Sequence, residues 1–438
     1  MRILLVLNKP NRELPIMQAI QRQIHRLQPD AQVEILGVEG RFYESVFRFR
    51  PDTILTFPFT SVGFAQLYYN FKRKLGCRIV CFRAEGILDI RGDEKNVEWT
   101  VGYDRYGKYL VDYELFWGPE MASAIGERLL AVGKISSSSR VIPVGYPRLE
   151  TYFQKELSAQ NRLPDRIASK VAQYPRNRVL LFLTGFHLAN YSAQNLLDAK
   201  DLDAENRMGE LLEAVERSKH YRAEWVKAVR QCCEDHAGAL VLVKKHPNER
   251  REDYAALETT DVENLVYAYE DFDLNQLVAS VGLMVHYGST SVVDAYLCGV
   301  PTVYVAPDQP ILWFTDLGFV NSRSVALRGI SAVVGDYLRG EVRFVEDKRI
   351  ESILSGAFNI WPNKPYQPSY EIAKLLVRRE EAQRIPLSDT YRWRAMPGHW
   401  VRTLRMLVNQ VWILALAWRT VKLALTRCGL RHGSRASS

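Results

Sequence analysis

Cysteines are few in this sequence, and their spacing matches no metal or disulfide pattern. Six occur in 438 residues, without a CxxC pair and without histidines at the spacing of a zinc site. Several lie within apolar runs, which favours buried free thiols in a reducing compartment over disulfide bonds. The six are Cys77, Cys81, Cys232, Cys233, Cys298 and Cys428.

The sequence also lacks internal repeats and low-complexity tracts, and we expect no secretory leader. The opening "MRILLVLN" is strand-like and has neither the apolar core nor the cleavage site of a signal peptide, so we expect a cytoplasmic protein. Apolar residues make up 47% and charged residues 25%, which is typical of a globular chain. Because 438 residues exceed the roughly 250–300 at which single cores stop growing, two domains are expected.

The net charge of +8 is not concentrated in one groove. Basic residues are scattered through most of the chain and cluster only at its C-terminus. This distribution favours a local anionic partner and argues against nucleic-acid binding.

Apolar runs alternate with helical patterns, which predicts an α/β fold with parallel sheets covered on both faces. Helical spacing is present at 12–28, 60–75 and 119–131. The strand candidates are "RILLVLN" (2–8), "QVEILGV" (32–38), "DTILTFP" (52–58), "CRIVCFR" (77–83), "YELFWG" (113–118), "RVIPVGY" (140–146), "RVLLFLTG" (178–185), "ALVLVKK" (239–245), "NLVYAY" (264–269), "VGLMVHY" (281–287) and "PTVYVAP" (301–307).

The alternation stops at 151–177, a polar stretch without a strand candidate that we interpret as the interdomain connection. The predicted organisation is therefore two Rossmann-like domains, 1–150 and 178–365, followed by a helical segment at 366–395 and a basic tail at 396–438. Two such domains leave a central cleft at the carboxyl ends of their strands, where open α/β sheets bind ligands. Functional side chains are therefore expected directly after strands.

In the second domain, His246 and Pro247 follow the strand "ALVLVKK". A histidine at this position can donate a hydrogen bond to a phosphate group of a ligand, and Lys244 or Lys245 can add positive charge. A plain strand-end cap is the alternative.

The stretch "HYGSTSVVDAYLCG" (286–299) follows the next strand but one of this domain. Gly288 permits a tight turn, and a helix is expected to begin within Ser289, Thr290 and Ser291. Free N–H groups, the helix dipole and three hydroxyls form a natural anion site, although the same residues also cap ordinary helices. Asp294, one turn further on, is a candidate for a ribose hydroxyl or for a solvated first-turn acid.

A third group, Thr184 and Gly185, follows the first strand of the second domain. It is expected beneath the phosphate or the nucleobase of a bound nucleotide. In the first domain, "CRIVCFRAEGILDIRGDE" (77–94) places Glu85 and Gly86 directly after a strand. Gly86 permits a turn that directs the Glu85 carboxylate into the cleft. A loop carboxylate paired with a neighbouring arginine is the alternative.

Further post-strand groups in the first domain are candidates for acceptor binding, although helix capping is favoured for them. They are Asn8, Lys9, Pro58, Thr60 and Ser61.

Together, "KKHPNE" (244–249), "HYGSTSVVDAYLCGVPTVYV" (286–305) and "VGYPRLETYF" (144–153) resemble a family of bacterial surface-carbohydrate enzymes with the GT-B glycosyltransferase fold. Its relatives include capsule-type Kdo transferases, CDP-glycerol glycerophosphotransferases and CMP-sialic acid transferases. The resemblance implies that His246 and the cluster Ser289, Thr290 and Ser291 contact the nucleotide phosphates. An acidic-Gly element similar to that of Kdo transferases implies that Glu85 is the catalytic base or nucleophile, with Asp89 and Asp93 as second choices. An acceptor hydroxyl needs such a base to become nucleophilic. The "GYPR" stretch resembles the "GxPRxD" of the glycerophosphotransferases, but Glu150 stands where the Asp would be.

The C-terminal stretch 399–432 is strongly apolar between Met406 and Trp418, and arginines and lysines flank this run. A spanning helix needs ~20 predominantly apolar residues, and this run is shorter. We therefore predict an interfacial amphipathic helix on the inner face of the cytoplasmic membrane. A docked core helix and a true membrane span are the alternatives.

The sequence thus predicts a glycosyltransferase that needs no metal or other cofactor and moves a sugar, with CMP-Kdo as the best single donor, to a lipid-linked surface glycan. No DxD-like pair stands at a post-strand position. CDP-glycerol-type polyol-phosphate transfer, a UDP-sugar 2-epimerase and a non-catalytic glycan-assembly scaffold are the rival hypotheses.

Overall fold

The structure is a computed structural model that describes most of the chain. The described residues are 1–8, 10–38, 41–58, 62–83, 110–131, 133, 135–154, 163–191, 208–247, 249–258, 262–270, 272, 274–306, 323–342 and 350–382.

The first half of the chain forms a six-stranded parallel sheet, the first sheet, in the order β2-β1-β3-β4-β5-β6. Along β1, Ile3 and Leu5 enter one apolar cluster, whereas Leu4 and Val6 enter another on the opposite face. Burial on both faces is the reason for the continuous apolar runs. The strands are β1 (Arg2–Leu7), β2 (Gln32–Gly37), β3 (Thr53–Thr56), β4 (Arg78–Phe82), β5 (Tyr113–Phe116) and β6 (Val141–Pro143).

The second half repeats this architecture in a second sheet, also parallel, in the order β12-β11-β10-β7-β8-β9. Its edge strand β12 has no counterpart among the predicted strands, because its sequence "RSV" is polar and largely exposed. The strands are β7 (Val179–Leu183), β8 (Leu240–Lys244), β9 (Leu265–Ala268), β10 (Leu283–His286), β11 (Thr302–Val305) and β12 (Arg323–Val325). The predicted pair of parallel α/β domains is therefore confirmed.

Helices cover both sheets, and the three predicted in the first half are present within two residues of their expected bounds. The α-helices are α1 (Pro10–Leu27), α2 (Phe42–Phe49), α3 (Val62–Leu75), α4 (Pro119–Ala131), α5 (Asp165–Val171), α6 (Met208–Asp235), α7 (Ala255–Glu258), α8 (Leu274–Ala279), α9 (Val292–Leu297), α10 (Ile330–Leu338), α11 (Ile350–Phe358) and α12 (Pro368–Leu376). Short 3-10 helices are Ser138–Arg140, Pro147–Tyr152, Arg176–Arg178, His187–Asn190, Arg251–Tyr254 and Leu327–Gly329.

The first strand of each sheet is an inner strand, and this order creates one switch point in each. In the first sheet β1 lies between β2 and β3, and in the second sheet β7 lies between β10 and β8. The chain leaves β1 toward β2 and then crosses to the other side of β1 at β3. It likewise leaves β7 toward β8 and later crosses to the other side of β7 at β10. The loops after β1 and β3, and those after β7 and β10, therefore diverge. Ligands of open α/β sheets bind at such switch points.

The chain returns to the first sheet after the second. Helix α11 packs against α4, and α12 packs against α1. The Arg78 guanidinium at the start of β4 donates to the carbonyl of Leu376 at 2.8 Å. Both sheets and these helices lie within one unit, Met1–Ile385. The limits of 1–150, 151–177, 178–365 and 366–395 stay predictions, and α11 within the third range contacts α4 of the first half.

The described cysteines are free thiols, as predicted. Cys77, Cys81, Cys232 and Cys233 are buried, and Cys298 is half-buried. Among the residues that the structure describes, no helix has both the length and the apolar character needed to cross a bilayer. The tail at 399–432 and Cys428 lie outside the described residues, so the predicted interfacial helix stays a prediction.

Candidate functional site

The end of β7 and the end of β8 are joined through the hydroxyl of Thr184. This hydroxyl accepts a hydrogen bond from the backbone N–H of His246 at 2.8 Å and donates one to the Glu249 carboxylate. Two predicted donor-site residues from separate motifs, Thr184 and His246, are thus directly bonded. The side chain of Thr184 is buried, so its role in this contact is to hold the two loops together.

Glu249 is the centre of this network, and the sequence motifs assigned it no role. Its carboxylate also accepts the backbone N–H of Phe186 at 2.6 Å, the Tyr254 hydroxyl at 2.7 Å and the backbone N–H of His246 at 3.1 Å. Burial raises the pKa of Glu249 above its ordinary value, and the hydrogen bonds it accepts oppose that rise. The signal available in the sequence is an acid three residues after the histidine of "KKHPNE".

The ring of His246 stacks on the ring of His187, with centroids 5.0 Å apart and an interplanar angle of 21°. His187 is the last residue of "TGFH" after β7, so the stack is a second link between the ends of β7 and β8. His246 is half-buried and Pro247 is exposed. A half-buried imidazole at the carboxyl edge of the sheet is well placed to meet a ligand from solvent.

The two lysines of the motif have backbone partners. The Lys244 ammonium donates to the carbonyl of Glu270 at 2.7 Å and lies 4.4 Å from the ring centroid of Phe272. The Lys245 ammonium donates to the carbonyls of His246 and Glu249. Both ammonium groups therefore support the loops after β8 and β9, and the phosphate contact predicted for Lys244 stays a prediction.

The segment Tyr287–Ser291, called the serine loop here, turns from β10 into α9. Gly288 has a φ of 62°, a left-handed conformation that favours glycine. The N–H of Ser289 donates to Nδ1 of His286 at 3.2 Å, and the Ser289 hydroxyl oxygen accepts the N–H of Ser291 at 3.2 Å. The predicted turn and helix start are therefore observed, with Ser291 as the N-cap residue.

The loop after β7 approaches the serine loop at the switch point of the second sheet. A Cβ atom on Gly185 would lie 3.3 Å from the carbonyl oxygen of Tyr287, so glycine permits the close approach of the two backbones. The rings of Phe186 and Tyr287 pack with centroids 4.8 Å apart. Of the serine loop, Thr290 is exposed and the hydroxyl residues beside it are half-buried. The loop after β7 thus contacts the serine loop on one side and bonds the His246 loop through Thr184.

Asp294 has protein partners on both carboxylate oxygens. Oδ2 accepts a hydrogen bond from the Arg148 guanidinium, and Oδ1 accepts one from the Tyr152 hydroxyl, each at 2.5 Å. The Asp294 side chain is fully buried. Burial and the adjacent carboxylate raise the pKa of Tyr152, which keeps its hydroxyl a donor. Because Asp294 is fully buried, a ribose hydroxyl could reach it only if surrounding side chains moved. The ribose contact predicted for Asp294 stays a prediction.

The predicted catalytic residues Glu85 and Asp89 lie outside the described residues, as do Asp93, Lys9, Thr60 and Ser61. Just before them, the Arg83 guanidinium lies 3.7 Å from the Glu114 carboxylate, and both side chains are buried. Arg83 therefore already has a carboxylate partner from β5, which bears on the alternative that Glu85 pairs with it.

The first sheet has its own buried acid at its switch point, which the sequence motifs did not indicate. Glu13 of α1 accepts the backbone N–H of Asn8 at 2.6 Å through Oε2. Glu13 is buried, and the bond orders the loop after β1. Among the described residues, no group of three or more histidine, cysteine, aspartate or glutamate side chains is placed to hold a metal ion.

No protein-family model and no curated protein sequence matches the chain. Solved structures do match. UDP-GlcNAc 2-epimerase from Neisseria meningitidis, bound to UDP-GlcNAc, is 11% identical with a TM-score of 0.50, and the match covers 86% of this chain and 99% of that chain. A putative UDP-N-acetylglucosamine 2-epimerase from Listeria monocytogenes is 11% identical with a TM-score of 0.51, covering 88% and 98%.

A variant of the wall teichoic acid polymerase TagF is 10% identical with a TM-score of 0.50, and the match covers 86% of this chain and 88% of that chain. At these identities the similarity concerns the fold. The two parallel six-stranded sheets have the GT-B architecture of two Rossmann-like domains, as the sequence predicted.

Proposed function

We propose that the protein is a glycosyltransferase that uses a nucleotide-activated sugar as its donor and a glycan as its acceptor. The observation that carries this proposal is the arrangement at the switch point of the second sheet. There the serine loop, Gly185 and the His246 loop border one crevice, and the buried Glu249 holds two of these loops together.

In this proposal the crevice binds the donor phosphates without a metal ion. Amides and hydroxyls of the serine loop donate hydrogen bonds to phosphate oxygens, and His246 donates a further one. Hydrogen-bond donors held in fixed positions stabilise the negative charge that develops on the leaving nucleotide. Glu85, with Asp89 as second choice, serves as the base for the acceptor hydroxyl.

The best single donor is CMP-Kdo, because the combination of "KKHPNE" and "HYGSTSVVDAYLCG" resembles users of CMP-sugars. The acceptor is a lipid-linked surface polysaccharide of the capsule or lipopolysaccharide type. Residues 399–432 bring the enzyme to it on the inner face of the cytoplasmic membrane.

Two alternatives within nucleotide-dependent enzymes have support from fold similarity. The epimerases of Neisseria meningitidis and Listeria monocytogenes share the fold over most of this chain, which favours a UDP-sugar 2-epimerase as the first alternative. The wall teichoic acid polymerase TagF shares the fold as well. The second alternative is polyol-phosphate transfer from a CDP-glycerol-type donor, which the "GYPR" resemblance favours. An epimerase needs no acceptor and no membrane contact, so the basic apolar tail counts against it.

A panel of CMP-, CDP-, UDP- and GDP-linked donors, tested by thermal shift on the full chain, examines the donor site. A donor present at 100 times its Kd adds about 2.7 kcal/mol to the free energy of unfolding and raises the Tm measurably. We expect one donor class to stabilise the wild type and His246→Ala to lose most of that shift. His220→Ala is the matched control, because His220 is an exposed histidine of α6.

The outcomes separate the hypotheses. Stabilisation by a CMP-sugar supports the Kdo-type donor, CDP-glycerol would favour the polyol-phosphate alternative, and a UDP-sugar followed by isomerisation without acceptor would favour the epimerase. Glu85→Gln that leaves glycan synthesis intact would favour the scaffold hypothesis. If no nucleotide raises the Tm of the wild type, the hypothesis of a donor site is wrong.

A further inference from the structure

The short helix Pro147–Tyr152, called the 147–152 helix here, joins three parts of the chain. It follows β6 of the first sheet and buries Glu150, whose carboxylate accepts the N–H and the hydroxyl of Ser369, each at 2.6 Å. Just before it, the N–H of Tyr146 donates to the Tyr366 hydroxyl at 2.8 Å. These bonds fix one side of the helix to α12 and the segment that leads into it.

The other side of the 147–152 helix binds the second sheet. Arg148 and Tyr152 hold the two oxygens of Asp294 in α9, and the Asn275 side chain of α8 donates to the Thr151 hydroxyl at 2.9 Å. Different sides of one six-residue helix therefore contact both halves of the fold. The helix is attached to the first half and reaches into the second.

Asp294 is close to the serine loop along the chain. Within α9 the N–H of Ala295, the next residue, donates to the carbonyl of Ser291 at 3.0 Å, so Asp294 and the end of the serine loop belong to the same helical turn. A fully buried carboxylate is expensive unless it is paired, and separating it from Arg148 would leave it uncompensated. This contact therefore restricts how α9 and the serine loop move relative to the first sheet.

We propose that Arg148 and Tyr152 are positioning residues that hold the serine loop at a set distance from the first sheet. The inference rests on the proposed function, because the loop is the donor phosphate site in that proposal. Glu85, the base proposed for the acceptor hydroxyl, follows β4 of the first sheet along the chain. Neither side chain touches the donor in this proposal. Their role is to keep donor and acceptor in line for transfer, where a displacement of about 1 Å costs on the order of 100-fold in rate.

The test variants change Arg148 or Tyr152, which lie in the first half, and leave Asp294 and the second sheet unchanged. Arg148→Met removes the charge with little change in volume, and Tyr152→Phe removes a single oxygen, so it tests the same contact if the first variant does not fold. Arg166→Met is the matched control. Arg166 also links to the second sheet, but it does so at β9 and the residues after it, through the carbonyl of Tyr267 and the Glu270 carboxylate.

Transfer from the donor identified by thermal shift separates positioning from plain stability. In Arg148→Met we expect kcat to fall by about 10- to 100-fold, while the Kd for the free nucleotide, CMP or UDP, stays within about twofold. Tyr152→Phe should show the same pattern with a smaller loss of kcat. Loss of the buried pair lowers the Tm in either case. A merely structural role would also weaken nucleotide binding, and that result would overturn the inference.

A second readout needs no ligand. Spin labels at Arg26→Cys on α1 and Lys227→Cys on α6, in a Cys298→Ser and Cys428→Ser background, report the distance between the two halves. We expect a broader distance distribution in Arg148→Met than in the wild type and no change in Arg166→Met. If nucleotides do not bind but the distribution broadens, the proposed function fails and the positioning contact stands. An unchanged distribution in both Arg148→Met and Tyr152→Phe would overturn the contact itself.

Discussion

Glu249 and Asp294 are buried carboxylates in the second half of the chain, and they connect different parts of the molecule. Glu249 accepts hydrogen bonds from neutral groups that follow β7 and β8 of its own sheet. Asp294 is paired with a guanidinium and a phenol from the other half. The comparison indicates that the loops of one crevice are ordered locally by a hydrogen-bond network, whereas their placement relative to the first sheet depends on an ion pair.

The largest effect is expected from Asp294→Ala. The change leaves the Arg148 guanidinium without its carboxylate, and breaking a buried pair in this way costs about 3 kcal/mol in the free energy of unfolding, measured by urea denaturation. Glu270→Ala is the control, because its pair with Arg166 is solvent-exposed and is expected to contribute at most about 1 kcal/mol. Equal losses in the two variants would contradict the distinction.

Glu249→Gln is expected to cost about 1–3 kcal/mol in the free energy of unfolding. The amide places an NH2 group opposite donors that need an acceptor, so at least one buried hydrogen bond is lost. Glu252→Gln, at an exposed position three residues later, should stay within about 0.5 kcal/mol of the wild type. A wild-type urea transition for Glu249→Gln would show that the network adds no stability.

Thr184→Val tests whether Thr184 and Glu249 act as one network. By itself this change should lower the free energy of unfolding by about 1 kcal/mol. Because Thr184 bonds directly to Glu249, the double variant Thr184→Val/Glu249→Gln should lose less stability than the sum of the single losses. Thr184→Val combined with Asp294→Ala should be additive within about 0.5 kcal/mol. The reverse pattern would mean that the two carboxylates belong to one network.

The smallest expected effect is a dependence of stability on pH that comes from the Glu249 carboxyl itself. Burial raises the pKa of Glu249 in the folded state above its value of 4.5 in the unfolded chain, so the folded state binds the proton more tightly. This contribution to stability is fully present below pH 4.5 and is lost as the pH rises through the folded-state pKa. The stability of the wild type relative to Glu249→Gln should therefore decrease from acidic pH upward, and an increase would refute the raised pKa.

Much of the architecture was predictable because the signals are local. Continuous apolar runs predicted eleven of the twelve strands in the described part of the chain, and the missing one, β12, is a polar edge strand that needs no such run. The turn at Gly288 and the helix start at the serine loop followed from residue types that favour a positive φ and a helix cap. The post-strand rule also selected Thr184 and His246, which the structure joins by a hydrogen bond.

The site details were less predictable because they depend on partners far apart in the chain. Lys244 has the charge for a phosphate contact, but its ammonium donates to a carbonyl after β9. Glu150 differs from the acid of the resembled motif, and its observed partner is Ser369, 219 residues away. No local pattern encodes such a pairing, since it exists only once α12 returns to the first sheet.

The sequence by itself determined two parallel α/β halves, the free thiols of the described cysteines and the loops that follow the strands of the second sheet, because burial and turn preferences act on neighbouring residues. Tertiary structure alone decided that Glu249 joins the loops after β7 and β8 and that Asp294 faces Arg148, 146 residues away. A carboxylate is compatible with solvent, a ligand or a buried partner. Which of these it meets depends on where packing places the donors, and that is a property of the whole fold.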